Sequence, residues 1–118
     1  KAPQFGFNIR LSDGRILSCA GDEPYQERCE TYIRGSSWLL HEAFCLYRDR
    51  ETFQPYEKHH STVKDACILA ERLEIPNLIL WHTEDKNLAA RKREYTKEGK
   101  QYYHGNLLVP DDGEIISL

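Results

Sequence analysis

Leu78-Ile79-Leu80-Trp81-His82 decides how this chain is read. Four apolar residues follow Asn77, just after the helix breaker Pro76, and end on a histidine. A run this short is too brief for a helix and suits a strand buried on both faces. The residue that ends it can titrate or bind a metal. The same pattern recurs upstream. Trp38-Leu39-Leu40 runs into His41-Glu42, and Ile16 to Ala20 runs into Gly21-Asp22. In a layered sheet with helical crossovers, ligands bind outside the carboxyl ends of the strands. Three parallel neighbours would therefore bring Asp22, Glu42 and His82 to one rim.

The stretches between these strands supply the crossovers. Phe5, Phe7, Ile9 and Leu11 alternate with Gly6, Asn8 and Arg10, the period of a strand. Ser12-Asp13-Gly14 then turns the chain into Ile16 to Ala20 as a hairpin. Tyr25 to Arg34 places Tyr25, Cys29, Tyr32 and Ile33 on one helical face, with Gly35 as its stop. Residues 43–58 mix aromatic and charged side chains around Pro55 and read as a long loop. Thr62-x-x-Asp65 is a variant of the capping box, and Val63, Ala66, Cys67, Ala70 and Leu73 form the buried stripe of the helix it starts. His60 lies just ahead of that helix. Residues 87–98 predict a polar helix closed by Gly99, followed by short strands at 107–109 and 115–118 around Pro110-Asp111-Asp112-Gly113. The order is ββαβαβαββ, an α/β or α+β layer structure without an internal boundary.

Composition narrows the function. The chain has 118 residues and a formal charge of −3, with 40% apolar and 30% charged residues, values of a folded chain. No apolar run approaches the roughly 20 residues of a membrane helix. Lys86, Arg91, Lys92, Arg93, Lys97 and Lys100 concentrate positive charge between residues 84 and 101, but acids alternate with them, as on a solvated helix face. Nucleic-acid binders normally carry a clearer basic footprint. Cys19, Cys29, Cys45 and Cys67 form no C-x-x-C pair, and without a secretion signal reduced thiols in the cytoplasm are expected. There is no Met, and the chain begins at Lys1, which is unusual for a native start, so a fragment is expected.

Carboxylate and imidazole at one rim suit zinc or manganese. Such an ion activates water for hydrolysis, and a further histidine held by a glutamate suits proton donation to a leaving group. One aspartate and one histidine are nonetheless too few for a catalytic zinc, which takes about three protein ligands. Taken singly, the other histidines are weaker signals. His41 reads as a satisfied sheet-end residue, His59 as a loop residue and His104 as surface.

In order along the chain, Gly21-Asp22, Leu39-Leu40-His41-Glu42-Ala43-Phe44, His60-Ser61-Thr62-Val63-Lys64-Asp65-Ala66 and Leu78-Ile79-Leu80-Trp81-His82-Thr83 resemble the C-terminal half of a metallo-β-lactamase-fold hydrolase. The branch is similar to ribonuclease Z. The resemblance implies one αβ half of an αββα sandwich over residues 1–118. It implies Asp22 and His82 as metal ligands, His60 as proton donor and Glu42 as the residue that orients it. Ser61 and Lys86 are the substrate-binding candidates. Zinc or manganese would form a dinuclear site once the missing N-terminal half is present, and metal-activated water would attack a phosphodiester. An RNA substrate and a homodimer follow from the same resemblance, and the isolated chain is expected to be inactive.

The departures matter too. The family's His-x-His-x-Asp-His run is absent from these 118 residues. Its usual Glu-Ala-Thr is Glu42-Ala43-Phe44, and Glu84-Asp85-Lys86 stands where Ser-Arg-Tyr often follows the last histidine. Losing that arginine removes a bidentate phosphate contact. Two alternatives therefore stay open: hydrolysis of a small-molecule ester or phosphodiester, and a non-enzymatic assembly module.

Overall fold

A computed structural model describes residues 2–118. Five strands form one sheet in sequence order: β1 (Phe7–Arg10), β2 (Ile16–Cys19), β3 (Trp38–Glu42), β4 (Asn77–Trp81) and β5 (Asn106–Leu108). β1 and β2 form the expected antiparallel hairpin, while β2, β3, β4 and β5 pair in parallel. Leu39, Leu40 and His41 face Leu78, Ile79 and Leu80 in the central pair. The apolar runs thus occupy the middle of the sheet, where both sides can bury them.

The helices are α1 (Glu30–Ile33), α2 (Arg50–Phe53), α3 (Val63–Arg72) and α4 (Leu88–Gly99). Thr62 starts α3: its Oγ1 accepts from the Asp65 amide at 3.3 Å, and Asp65 Oδ2 accepts from the Thr62 amide at 2.9 Å. This reciprocal cap satisfies two otherwise orphaned donors. Val63, Ala66, Cys67, Leu69 and Ala70 then bury against the sheet. Gly99 lets α4 come close, because a Cβ there would sit 2.5 Å from Leu107 Cδ2 and 2.9 Å from Cys67 Sγ.

Side-chain alternation along the strands separates two faces. Leu39, Leu78 and Leu80 join α3, Tyr95 and Tyr103 in the main core. Leu17, Trp38 and Ile79 form a smaller cluster on the other face, edged by Leu40, Leu108 and Ile116.

Three expectations change. The helix over 25–34 is shorter, a 3-10 turn at Glu27–Cys29 leading into α1, and Tyr32 points outward at 69% exposure. The loop over 43–58 contains a 3-10 turn at Tyr47–Asp49 and then α2. The stretch 115–118 forms no strand; Ile116 packs against the smaller cluster while Ile115 is almost fully exposed. A turn between polar residues holds this end of the chain, with Glu114 donating its amide to the Asp111 carbonyl, so side-chain packing replaces the ladder.

Candidate metal centre

The chemistry gathers where the parallel strands end. β2 stops at Cys19, and Gly21 turns the chain at φ +86°. A Cβ at Gly21 would lie 3.0 Å from the Phe5 carbonyl oxygen, so glycine serves both the conformation and the close approach. Asp22 follows. Glu42 is the last residue of β3 and is fully buried. His82 follows β4 in the left-handed region, at φ +54°. For a non-glycine residue this is an uncommon backbone state, of the sort that gathers at functional sites.

His60 arrives on a different element. After α2, Gln54 enters the left-handed region and the chain closes on itself, with the His60 amide donating to the Pro55 carbonyl at 2.8 Å. Tyr56 ties this loop to α3 by donating its hydroxyl to Asp65 Oδ2 at 2.9 Å.

Asp22, Glu42, His60 and His82 meet here. Ligand atoms from all four lie within 4.8 Å of one another. His82 Nδ1 is 3.1 Å from Asp22 Oδ1, and His60 Nδ1 is 3.4 Å from the same oxygen. His60 Nδ1 is also 3.3 Å from Glu42 Oε2, while Glu42 Oε1 accepts from the Ser61 amide at 2.5 Å. Two imidazoles and two carboxylates are the nitrogen and oxygen donors that zinc or manganese takes. The group fits a divalent cation in donor type and in spacing. Asp22 and His82 are part-exposed, whereas His60 and Glu42 sit deeper. The outer pair is thus the more accessible to an ion, and the inner pair is held by protein.

Ser61 enters through its backbone, and the residue as a whole is buried. Lys86 is exposed on the loop after His82, and its amide donates to Glu84 Oε2 at 2.6 Å. His104 is exposed and its Nδ1 pairs with Glu71 at 2.8 Å, away from the four.

Sequence reasoning missed the part played by Phe44. Its ring stacks on His60 at 5.0 Å and tilts against His82 at 6.4 Å. Its amide donates to the Ser61 carbonyl, and its own carbonyl accepts from the Glu84 amide and the Tyr95 hydroxyl. One residue therefore joins the loops carrying both histidines to α4. The only signal was its place directly after Glu42-Ala43, in the motif where it departs from the usual threonine.

No family model matches the chain. Two solved structures share its architecture at TM-score 0.68. YhfI from Bacillus subtilis, a metallo-β-lactamase fold protein, is 17% identical over 88% of this chain and 40% of its own. Human tRNase Z, short form, is 19% identical over 95% of this chain and 37% of its own. This fold is one half of a metallo-β-lactamase sandwich. The sequence of this metallo-β-lactamase-fold chain is ribonuclease Z-like. It is 29% identical to ribonuclease Z of Shouchella clausii across 96% of this chain and 40% of the relative. It is 28% identical to ribonuclease Z of Thermococcus sibiricus across 83% of this chain and 30% of the relative. The chain thus spans well under half the length of the curated relatives it matches.

Proposed function

We propose that this chain supplies one half of a dinuclear, metal-dependent phosphodiesterase with ribonuclease Z-like chemistry. The convergence of Asp22, Glu42, His60 and His82 within 4.8 Å carries the reading. Asp22 and His82 would hold the metal. The remaining ligands come from the N-terminal half of the same domain. Zinc or manganese, when bound, polarises the phosphoryl group and lowers the pKa of attacking water.

The protein residues then handle the leaving group. Glu42 is anchored through Oε1 by the Ser61 amide, which leaves Oε2 facing His60 Nδ1. With Nδ1–H facing the Glu42 carboxylate, His60 acts as the imidazolium: its Nε2–H gives the proton to the departing oxygen, and the ring is left neutral with its hydrogen on Nδ1. Burial makes the Glu42 pairing stronger than it would be in water. Ser61 contributes its backbone, and Lys86, exposed on the loop after His82, would supply a charge for a substrate phosphate. RNA is the substrate class, in a cytoplasmic setting that suits the free cysteines. By itself the chain is inactive because its ligand set is incomplete.

The test uses the protein with both halves present. Metal analysis is expected to find about two ions per chain. Turnover on a model diester should persist, and precursor transfer RNA should be cleaved at a higher kcat/KM. A protein that binds no metal would refute the hydrolase reading. Turnover favouring the model diester would instead support a small-molecule substrate.

A further inference from the structure

We propose that the outer face of α4 is a contact for the RNA backbone, made by Arg93, Lys97 and Lys100. The inference rests on the reading of RNA as the substrate class and adds where its phosphates lie.

Along the chain, acids alternate with the bases of residues 84–101, and the segment reads as a balanced, solvated face. Folding separates the two signs. A helix turns about 100° per residue, so positions 93, 97 and 100 share one face and 91, 95 and 99 another. Arg91, Tyr95 and Gly99 are the buried residues of α4. Arg93, Lys97 and Lys100 are exposed along an open groove that Ala89 and Thr96 also line.

The acids turn elsewhere. Glu98 Oε1 accepts from the Tyr47 amide at 2.7 Å, at the turn before α2. Glu94 Oε2 accepts from the Arg48 guanidinium at 3.1 Å. Arg93 Nε donates to Glu94 Oε1 only at 3.4 Å, and the Arg93 side chain stays 75% exposed. Glu84 is buried and accepts from the Lys86 amide. Asp111 borders the groove, but it lies 3.3 Å from Lys92, which also pairs with Glu114 at 2.6 Å. Among the described residues, Lys97 and Lys100 take part in no ion pair. Arg93, Lys97 and Lys100 thus face solvent with one weak acid contact between them.

Their spacing suits a polyanion. A helix rises about 1.5 Å per residue, so Arg93 to Lys100 spans roughly 10 Å. A nucleic-acid strand carries one charge about every 3.4 Å of its axis, so this span meets about three phosphates. Contacts of this kind fix position and carry no sequence information. The stripe also leads to the candidate site. α4 begins on the loop after His82, and Arg91 Nη1 donates to Thr83 Oγ1 at 2.8 Å to tie its first turn there. Tyr95 packs α4 into the main core, so the stripe lies on the helix-covered side of the sheet. A second half seated on the opposite face would leave it open.

Equilibrium binding of precursor transfer RNA to the protein with both halves, over a range of salt, tests the assignment. Each phosphate contact contributes about 0.7–0.9 to the slope of log affinity against log salt. The triple variant Arg93→Gln, Lys97→Gln, Lys100→Gln should flatten that slope by about 2 to 3. Over a roughly fourfold rise in salt, the wild type then loses about 20- to 40-fold more affinity than the variant. Lys97→Gln alone should flatten the slope by about 1, and Lys97→Arg should keep it. KM for the RNA should rise in the triple variant with kcat unchanged, while metal content and turnover of the model diester match the wild type. A control that removes the same charge elsewhere, Arg10→Gln with Arg15→Gln and Arg28→Gln, should keep the wild-type slope. No RNA binding, an unchanged slope in the triple variant, an equal change in the control, or binding of anionic phospholipid vesicles in place of RNA would overturn the assignment. Binding is read without turnover. RNA held by this face but left uncut would refute the nuclease reading alone, and RNA cut equally well by the triple variant at every salt would refute this one alone.

Discussion

The two faces of the sheet differ sharply. On one, Leu39 and Leu78 are fully buried beneath α3 and α4, and Val63, Ala66, Cys67 and Ala70 complete a closed core. On the other, Leu17, Trp38 and Ile79 are flanked by half-covered Leu40 and Leu108, with Trp81 exposed at 36%. A sheet needs cover on both sides once both carry apolar residues. The first face is finished within this chain. The second is left open among the described residues, and the chain spans less than half the length of the relatives it matches. The candidate site lies at the carboxyl rim, where the two faces meet: Glu42 is buried and His60 mostly covered between the strand end and the loop before α3, and Asp22 and His82 stay part-exposed.

That division makes the inner pair the place for the largest effect. His60→Ala should lower kcat by about 10²- to 10⁴-fold, the usual worth of a general acid. Its metal content should stay near that of the wild type. Steady-state turnover with metal analysis checks this, and a parallel loss of metal would place His60 among the ligands.

Core truncations come next and probe the faces themselves. Leu39→Ala on the closed face should cost about 2–5 kcal/mol of unfolding free energy by denaturant titration. Leu40→Ala on the open face should cost only about 1 kcal/mol in this chain alone. Its cost should rise when the other half covers it. Equal costs with and without that half would remove the distinction between the faces. Thr62→Ala, which deletes the cap of α3, should cost about 1 kcal/mol.

The smallest effect lies far from the rim. Hydrogen bonds from Arg34, then Tyr25 and Arg72, hold the Glu30 carboxyl down at about 2, against an ordinary 4.5. A lowered carboxylate stabilises the fold fully above its unfolded value, and that contribution fades as pH falls toward the folded one. Glu30→Gln should therefore flatten the melting profile between roughly pH 5 and pH 2. Exposure and salt screening keep the change modest. A profile parallel to the wild type would show that this network contributes nothing.

Much of the layout was legible in the order of residues. Apolar runs ending in Asp22, Glu42 and His82 announced parallel strands with a shared rim, because burial on both faces demands such runs. Thr62 and Asp65 marked the start of α3 through local hydrogen bonding alone. What stayed hidden depends on distant contacts. The turn at Tyr47–Asp49 and α2 are too short to show a period. The stretch 115–118 has strand-like residues but finds no partner strand. Phe44 acquires its role from Ser61, Glu84 and Tyr95, which lie far along the chain.

The central claim is that Asp22 and His82 bind catalytic metal at the open rim. Anomalous diffraction from zinc-loaded crystals of the protein with both halves tests it most directly. The account predicts a pair of peaks, in contact with Asp22 and His82, that vanish in Asp22→Ala along with turnover. Peaks elsewhere, with turnover unchanged in that variant, would contradict it.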